Sequence, residues 1–370
     1  MIYENLVVTG SLKVTSGLVG VPKNTKANRP GSPTSGSLFF QQSPSSSLLY
    51  VYTGIPNNDS GWEAVGNQAA PYNSFKYRQI INYGYVAGGY KDASPWKNVH
   101  KAVASTDQTS HLGQLMDYPA NYTKGACSKT ILWIFSANTG NGFTGPSTVS
   151  DTYTSAVNMV TETGYTHQTK WDITTSRADL GVMFKETEFA YIIGGYSTTC
   201  DKFNMTTEIC LTGQGLTSIG GASETSAFSD ENYGYGWDNS VGCRLTFASD
   251  TFNNSTSVWG AHGQQKGISS KNGKGYAGNE GSYNGGNNLR RWQFSTETNI
   301  GNVTKPETNT GEENFTMGQD WQYMLGNYNG VQNNNNWKFY YATDSGTAGV
   351  SGLSPTAQAG QSSAICGWRQ

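Results

Sequence analysis

A short phrase recurs six times along the chain, and each copy ends in a hydroxyl residue followed by a carboxylate. Three and five residues before the carboxylate stand apolar residues, such as Phe247 and Leu245 before Asp250. Because side chains alternate along a strand, both apolar positions lie on one face, so the phrase predicts a strand entering a turn. The carboxylates are 55, 46, 42, 47 and 47 residues apart: Asp107, Glu162, Glu208, Asp250, Glu297 and Asp344.

That spacing is typical of a four-stranded blade of a β-propeller. A second aromatic or glycine-rich strand precedes every copy of the phrase. Since packed blades leave little room near the axis, glycine in these strands predicts close approach of neighbouring backbones. The strands are Tyr85–Tyr90, Ile131–Phe135, Tyr191–Tyr196, Tyr233–Trp237, Tyr276–Gly278 and Trp321–Gly326.

The end of the chain predicts how the repeats close. In the middle repeats a strand such as Glu224–Phe228 precedes the aromatic strand, whereas the first repeat has no clear predecessor. The segment Gln361–Trp368 resembles that missing strand and has no phrase after it. We therefore expect the C-terminal strand to complete the first blade, which makes residues 85–370 a six-bladed all-β propeller.

Composition supports the all-β class and excludes some partners. Charged residues make up only 14% of the chain, with 46 Gly and 22 Tyr, which favours short strands joined by tight turns. A net charge of −2 gives no electrostatic footprint for nucleic acid or an anionic membrane. No apolar run is long enough for membrane insertion, and no secretory signal is recognised, so we expect assembly in a cytoplasm. The five cysteines lack metal-ligand spacing and predict buried thiols.

The front of the chain has a different character. Residues 1–20 alternate apolar and polar residues over a length too short to bury their own face, which predicts an anchor or stem that pairs with another chain. Residues 21–66 contain the aromatic segments Phe39–Phe40 and Leu49–Tyr52 and predict a small β module. Residues 67–84 are the expected linker.

Two resemblances extend this interpretation. The apolar run, double glycine and tyrosine of Tyr191–Tyr196 resemble kelch-type propeller repeats, which implies an architecture and no activity. Residues 29–66, with Arg29–Pro30, Trp62 and Val65–Gly66, resemble a module of bacteriophage tail fibres and other virion appendages. The leading segment resembles phage fibre stems, which are typically trimeric, and Tyr85–Val99 resembles propeller-bearing structural proteins of marine phages, including cyanophages.

The phage resemblance implies a location and partners. It predicts a structural virion protein, assembled in the host cytoplasm and exposed on the particle. Residues 1–66 would hold it to other virion proteins, and the chain would form a homo-oligomer, expected to be a trimer. No nucleic acid, membrane insertion or cofactor is expected.

The six carboxylates raise the question of catalysis. Their symmetry argues against it, because acid–base chemistry needs groups placed differently from one another. We expect each to accept backbone N–H bonds in its own turn, the alternative being a shared metal or polar ring on the axis. The histidines His100, His111, His167 and His262 fall in different parts of the chain, and no catalytic motif or copper-ligand set is recognisable. The sequence therefore predicts a protein that is not an enzyme.

Ligand binding is a stronger hypothesis. Tryptophans in loop-like sequence, together with many asparagines, are suited to stack on sugar rings and bond their hydroxyls, although packing between blades is the competing interpretation for each. These tryptophans are Trp96, Trp171, Trp259 and Trp337. The favoured function is an appendage that recognises a bacterial surface glycan. The alternatives are a capsid or neck decoration protein without a ligand, and a soluble lectin-like propeller.

Overall fold

The computed structural model describes residues 23–24, 38–42, 47–52, 62–65 and most of 83–368. Within the last range, 92–93, 104–105, 121–122, 129, 137–152, 175–179, 186–187, 196, 212–224, 231, 238–241, 254–267, 272, 279–287, 306–311, 318–320, 329–331, 342 and 351–365 are not described. The predicted anchor at 1–20 lies outside the described residues, as do Trp259, His262 and all but the last two residues of the predicted linker.

The described residues are almost entirely β-strand, and the chain divides into two compact units, Met1–Gln79 and Ile80–Gln370. The first unit contains one four-stranded sheet in the order β1-β2-β3-β4, with β1 parallel to β2 and the other pairs antiparallel. The predicted aromatic strands of the small module lie in β2 and β3. The strands are β1 (Lys23–Asn24), β2 (Leu38–Gln42), β3 (Ser47–Tyr52) and β4 (Trp62–Val65).

The second unit contains six four-stranded antiparallel sheets, here named I to VI. Sheet I contains β5 (Tyr83–Ala87), β8 (Asn98–Val103) and β9 (Gln108–Gln114), with a hairpin of β6 (Tyr90–Lys91) and β7 (Ser94–Pro95) between them. Sheet II contains β10 (Lys124–Cys127), β11 (Ile131–Ser136), β12 (Tyr153–Asn158) and β13 (Thr163–Gly164). Sheet III contains β14 (Leu180–Lys185), β15 (Phe189–Gly194), β16 (Asp201–Asn204) and β17 (Ile209–Leu211).

The remaining sheets repeat the same order. Sheet IV contains β18 (Ser226–Ser229), β19 (Tyr233–Trp237), β20 (Gly242–Thr246) and β21 (Thr251–Asn253). Sheet V contains β22 (Ile268–Lys271), β23 (Lys274–Gly278), β24 (Asn288–Gln293) and β25 (Thr298–Thr304). Sheet VI contains β26 (Glu312–Met317), β27 (Trp321–Tyr328), β28 (Gln332–Tyr340) and β29 (Ser345–Ala348). One 3₁₀ helix, Thr169–Trp171, is present among the described residues, and no described helix is long and apolar enough to cross a membrane.

The last strand of the chain joins the first sheet of the second unit. Strand β30 (Cys366–Trp368) pairs antiparallel with β5, with Cys366 opposite Tyr85 and Trp368 opposite Tyr83. Sheet I therefore has the order β30-β5-β8-β9 and is built from both ends of this unit, as the sequence predicted. The first strands of the sheets also contact one another in cyclic order: β10 with β14, β14 with β18, β18 with β22, β22 with β26, β26 with β30, and β30 with β10.

The core lies between neighbouring sheets, and the apolar positions of the repeated phrase supply much of it. One core cluster joins sheets II and III, where Trp133 of β11 meets Phe203 of β16. Residues three and five positions before the carboxylates are buried: Ala102, Val157, Met159, Phe203, Met205, Leu245, Phe247, Trp292, Phe294, Phe339 and Tyr341. Ala104 lies outside the described residues.

Glycines on the second strands permit the close approach that the sequence predicted. A Cβ added at Gly234 of sheet IV would meet the side chain of Met183 in sheet III. One added at Gly275 of sheet V would meet the ring of Phe228 in sheet IV. Residues larger than glycine at these positions would push adjacent sheets apart.

The expected buried thiols are found at three of the five cysteines. Cys200, Cys210 and Cys243 are free and buried. Cys127 on β10 is instead disulfide-bonded, so the expectation of a thiol is wrong at that position. The fifth cysteine, Cys366, lies on β30.

Candidate functional site

All six repeat carboxylates occupy the same strained turn position. Their φ angles lie between 49° and 60°, and they are the only non-glycine residues with positive φ in the described part of the chain. Each lies between the third and fourth strands of its sheet; in sheet II, for example, the pair Asn158 and Thr163 flanks a four-residue loop that ends in Glu162. The left-handed conformation costs about 1 kcal/mol for a residue with a Cβ, so the side chain must contribute something glycine would not.

The partners of these carboxylates lie in the neighbouring sheet. In a complete arrangement, a tyrosine hydroxyl on the second strand and a Lys or Arg on the third strand donate to the carboxylate of the next sheet. We call this set of contacts a rung. Between sheets III and IV, for example, Tyr191 donates to Asp250 Oδ1 at 2.6 Å and Lys202 donates to Oδ2 at 2.5 Å.

The rung recurs with small variations. Asp344 of sheet VI accepts from Tyr276 at 2.9 Å, Lys274 at 3.0 Å and Arg291 at 2.6 Å, all from sheet V. Glu297 of sheet V accepts from Arg244 and, at 3.5 Å, from Tyr235 of sheet IV. Glu162 of sheet II accepts from Lys101 of sheet I at 2.5 Å, while the buried Tyr85 hydroxyl has no hydrogen-bond partner among the described residues.

The same contact joins the last sheet to the first. Tyr323 of sheet VI donates to Asp107 of sheet I at 2.5 Å, and Lys338 donates to its two oxygens at 2.7 and 2.9 Å. The residues of this rung are 216 and 231 positions apart in the chain. Five of the six carboxylates thus contact a neighbouring sheet, where the sequence predicted bonds to the backbone of their own turns.

An aromatic ring covers the cation in most rungs. Lys101 lies 3.8 Å from the centroid of Tyr83, and Lys202 lies 4.2 Å from that of Phe189. Arg244 lies 4.8 Å from Tyr233, and Lys338 lies 4.1 Å from Trp321. Each ring stands two residues before the tyrosine position of its rung, and at these distances it adds a cation–π attraction.

Burial and charge shift the ionisation of the rung residues. Burial raises the pKa of Tyr191, Tyr276 and Tyr323, and the hydrogen bond to a carboxylate raises it further. Burial would by itself raise the pKa of Asp344, but the bonds from Lys274, Tyr276 and Arg291 bring it below the ordinary value. The rung at Asp344 therefore contains a neutral tyrosine that donates to an ionised carboxylate at neutral pH, which suits a structural contact.

The junction between sheets II and III departs from this pattern. Trp133 stands at the tyrosine position and Ala156 opposite it, at the position of the cation, so Glu208 of sheet III has no rung. Trp133 instead packs against Trp171 of the 3₁₀ helix, with ring centroids 5.3 Å apart. Lys170 of the same helix approaches Glu208 at 3.4 Å, and the two side chains are 42% and 32% exposed.

Exposed apolar side chains concentrate at this junction. Among the described residues, four large hydrophobic side chains are exposed: Val160 at 58%, Ile209 at 41%, Tyr165 at 38% and Tyr340 at 37%. Three of them lie in sheets II and III or in the connection between these sheets, whereas Tyr340 lies in sheet VI. The Tyr165 ring meets Trp171 edge-on, and the 3₁₀ helix contacts β17, which begins at Ile209. These contacts link Tyr165, Lys170, Glu208 and Ile209, and Asn158 links Tyr165 to the backbone of Val160. The five residues are here called the junction surface.

A second polar cluster lies where sheet II connects to its neighbours. His167 Nε2 is 2.6 Å from Asp172 Oδ1, and its backbone N–H donates to Asp117 at 2.8 Å. Tyr118 and Tyr153 stack with centroids 3.9 Å apart, and the His167 ring meets both edge-on. The contacts tie the connection before β10 to the one after β13, and no serine or cysteine nucleophile is recorded in contact with His167 in the described structure.

The structure sorts the tryptophans proposed to contact a ligand. Trp171 and Trp337 are almost completely buried, so the prediction that they touch a ligand is wrong for both. They pack between sheets, which was the competing interpretation. Trp96 is partly buried, and its backbone forms an isolated antiparallel β-bridge with Ala120. It stays a candidate for contact with a ligand. The described residues contain no group of three or more His, Cys, Asp or Glu side chains placed to hold a metal ion.

Sequence reasoning missed the cations of the rungs, although a signal was present. Six positions before the carboxylates stand Lys101, Ala156, Lys202, Arg244, Arg291 and Lys338. The one exception, Ala156, marks the junction surface. The chain matches no family model, and no curated protein matches it. Function must therefore be argued from these residues.

Proposed function

We propose that residues 80–370 form a six-bladed kelch-like β-propeller and that the chain is a bacteriophage virion appendage that recognises a glycan of the host surface. Sheets I to VI would be the blades. The observation that carries the architecture is the recurrence of one rung from sheet III through sheet VI and on to sheet I, together with the first-strand contacts in cyclic order. A pairing of both ends of the unit in sheet I supports ring closure.

The division of the chain supports the appendage. The sheet β1-β2-β3-β4 belongs to a compact unit of its own, Met1–Gln79, which fits a module that attaches while the second unit is presented. Attachment to other virion proteins through residues 1–66 and trimerisation are part of the proposal.

The test of attachment uses particles assembled with altered chains. We expect deletion of residues 1–66 to abolish incorporation into particles, as measured by immunoblotting of purified virions. The matched control deletes residues 369–370, which follow the last strand and should leave incorporation unchanged. Normal incorporation of the truncated chain would rule out the anchor assignment.

The test of recognition separates the proposal from decoration. Soluble full-length protein should bind host cells and inhibit phage adsorption in a dose-dependent way. The alternative, a capsid or neck decoration protein, is favoured if saturating protein neither binds cells nor inhibits adsorption while antibodies to the chain still label the particle.

A further inference from the structure

We propose that the junction surface is the glycan-binding site and that it takes a pyranose ring of a bacterial surface polysaccharide. This inference rests on the proposed recognition of a host glycan and assigns it to Val160, Tyr165, Lys170, Glu208 and Ile209. It differs from the expectation based on tryptophans, two of which lie in the core.

The repeat of the rungs is interrupted at this surface. At the other junctions, the cation of one sheet bonds the carboxylate of the next sheet. The position two residues before the tyrosine position holds an aromatic ring in four of these sheets and Lys274 in sheet V. Between sheets II and III the cation position is Ala156, and the aromatic position that would cover it is Ile131. Glu208 pairs instead with Lys170, whose side chain is 42% exposed, and a solvent-exposed ion pair at 3.4 Å contributes little to stability.

The exposed groups of the junction surface match the chemistry of a sugar ring. A sugar ring presents an apolar C–H face and an edge of hydroxyls. Tyr165 offers an exposed aromatic ring, and its hydroxyl accepts from Asn158 Nδ2 at 3.0 Å, which holds the ring in position. Lys170 is a hydrogen-bond donor and Glu208 is an acceptor, and they bond each other only weakly. When a sugar binds, this bond can be replaced by charge-assisted hydrogen bonds from both residues to sugar hydroxyls.

The junction surface is preorganised by the core beneath it and by its own turn. Trp171 is buried beneath it and packs against Trp133, so the 3₁₀ helix that carries Lys170 rests on the core. The turn of sheet II is fixed by Asn158 Oδ1, which accepts from the backbone N–H groups of Val160 and Thr161 at 2.9 and 3.0 Å. A rigid site loses less entropy when it binds.

The experiment measures binding of full-length protein to immobilised O-polysaccharides and capsular polysaccharides purified from host strains. Replacing the exposed ring, Tyr165→Ala, should weaken binding by about tenfold or more, because the stacking surface is lost. Tyr165→Phe keeps the ring and should bind within about threefold of the unaltered protein, since only one hydroxyl is removed. Comparison of the two polysaccharide sources identifies which one supplies the sugar.

The matched control is Tyr340→Ala, which removes an equally exposed tyrosine from sheet VI and should leave binding unchanged. Equal urea midpoints for the variants verify that Tyr165→Ala is folded. Equal binding by Tyr165→Ala and the unaltered protein would overturn this inference and leave glycan recognition at another site. Cell binding without polysaccharide binding would overturn the inference and leave attachment standing, whereas no binding to either would overturn both. Self-association that is lost in Tyr165→Ala during sedimentation would assign the surface to a second copy of the chain and overturn the inference.

Discussion

At the scale of single residues, the repeat carboxylates show a balance between backbone strain and side-chain contact. Asp250 has a left-handed backbone with φ 53°, which glycine would adopt with less strain. Its carboxylate accepts hydrogen bonds from a tyrosine and a lysine of the preceding sheet. At five of the six positions, the carboxylate bonds a cation of a neighbouring sheet, and these contacts offset the conformational cost. The turn is thus also a connector between sheets.

We predict that Asp344→Asn lowers the free energy of unfolding by about 2 kcal/mol, because Lys274 and Arg291 lose their carboxylate while remaining partly buried. Asn tolerates the left-handed conformation, so the change isolates the charge. Urea denaturation monitored by fluorescence provides the measurement. The control is Glu208→Gln, at the position without a rung, which should change stability by less than about 0.5 kcal/mol. Equal losses in both variants would contradict a stabilising role for the rung.

His100 gives the protein a dependence on acidity. The side chain is 1% exposed, its Nε2 has no hydrogen-bond partner among the described residues, and burial lowers its pKa to about 4, with a smaller contribution from His111. The unfolded chain binds a proton near pH 6.5, whereas the folded chain does so only near pH 4. Between these values the unfolded state binds more protons, so stability falls as the pH is lowered.

We therefore predict a loss of up to about 3 kcal/mol of unfolding free energy from His100 between pH 7 and pH 4, from the conversion of its pKa shift. Urea denaturation at several pH values measures the slope. His100→Gln should flatten the slope, and His111→Gln, which alters the exposed neighbour, should largely retain it. An unchanged slope in His100→Gln would assign the acid sensitivity to other groups.

At the scale of elements, the fourth strands of the sheets differ in length and in how their free edges are kept from pairing with other molecules. β13, β17 and β21 have two or three residues, whereas β9 and β25 have seven and carry no Lys, Arg, Asp or Glu. Each long strand has a glycine with positive φ, Gly113 at 101° and Gly301 at 91°, and a register shift in its pairing. Such irregularities interrupt the edge and disfavour pairing with strands of other molecules.

The last strand belongs to the element scale as well. We predict that deleting residues 366–370 removes β30, exposes the edge of β5 and lowers the thermal midpoint by about 10 °C or more, since the first sheet loses its first strand and its contacts with β10 and β26. Differential scanning calorimetry measures the effect. A chain that lacks only residues 369–370 retains β30 and should melt like the full protein. Equal melting of both truncations would show that β30 does not stabilise the unit.

At the scale of the whole molecule, the two compact units should behave independently. We predict that residues 80–370, produced alone, unfold in one cooperative transition at the midpoint seen for this unit in the full chain, because its sheets contact one another in cyclic order. Calorimetry of the fragment and the full chain makes the comparison. A fragment that aggregates or melts without cooperativity would show that the first unit is needed for its folding.

Much of the architecture could be predicted because it follows from the local periodicity of the sequence. The repeated phrase located the third strand of every sheet, the turn after it and two buried positions, since alternation and turn chemistry depend only on near neighbours. The similarity of Gln361–Trp368 to an internal strand even predicted the pairing of β30 with β5. The tryptophans were less predictable, because Trp171 and Trp337 stand in sequence that resembles loops but pack between sheets.

By itself, the sequence determined the β class, the number of repeats and the turns that carry the carboxylates. Only the tertiary structure decided what those carboxylates bind and where the pattern fails. Tyr191 and Asp250 are 59 residues apart, and Tyr323 and Asp107 are 216 apart. No local preference chooses between such partners, because the choice follows from which sheet packs against which. The junction surface depends on tertiary structure for the same reason. Ala156 in place of a cation leaves Glu208 without a rung only because sheet III packs against sheet II.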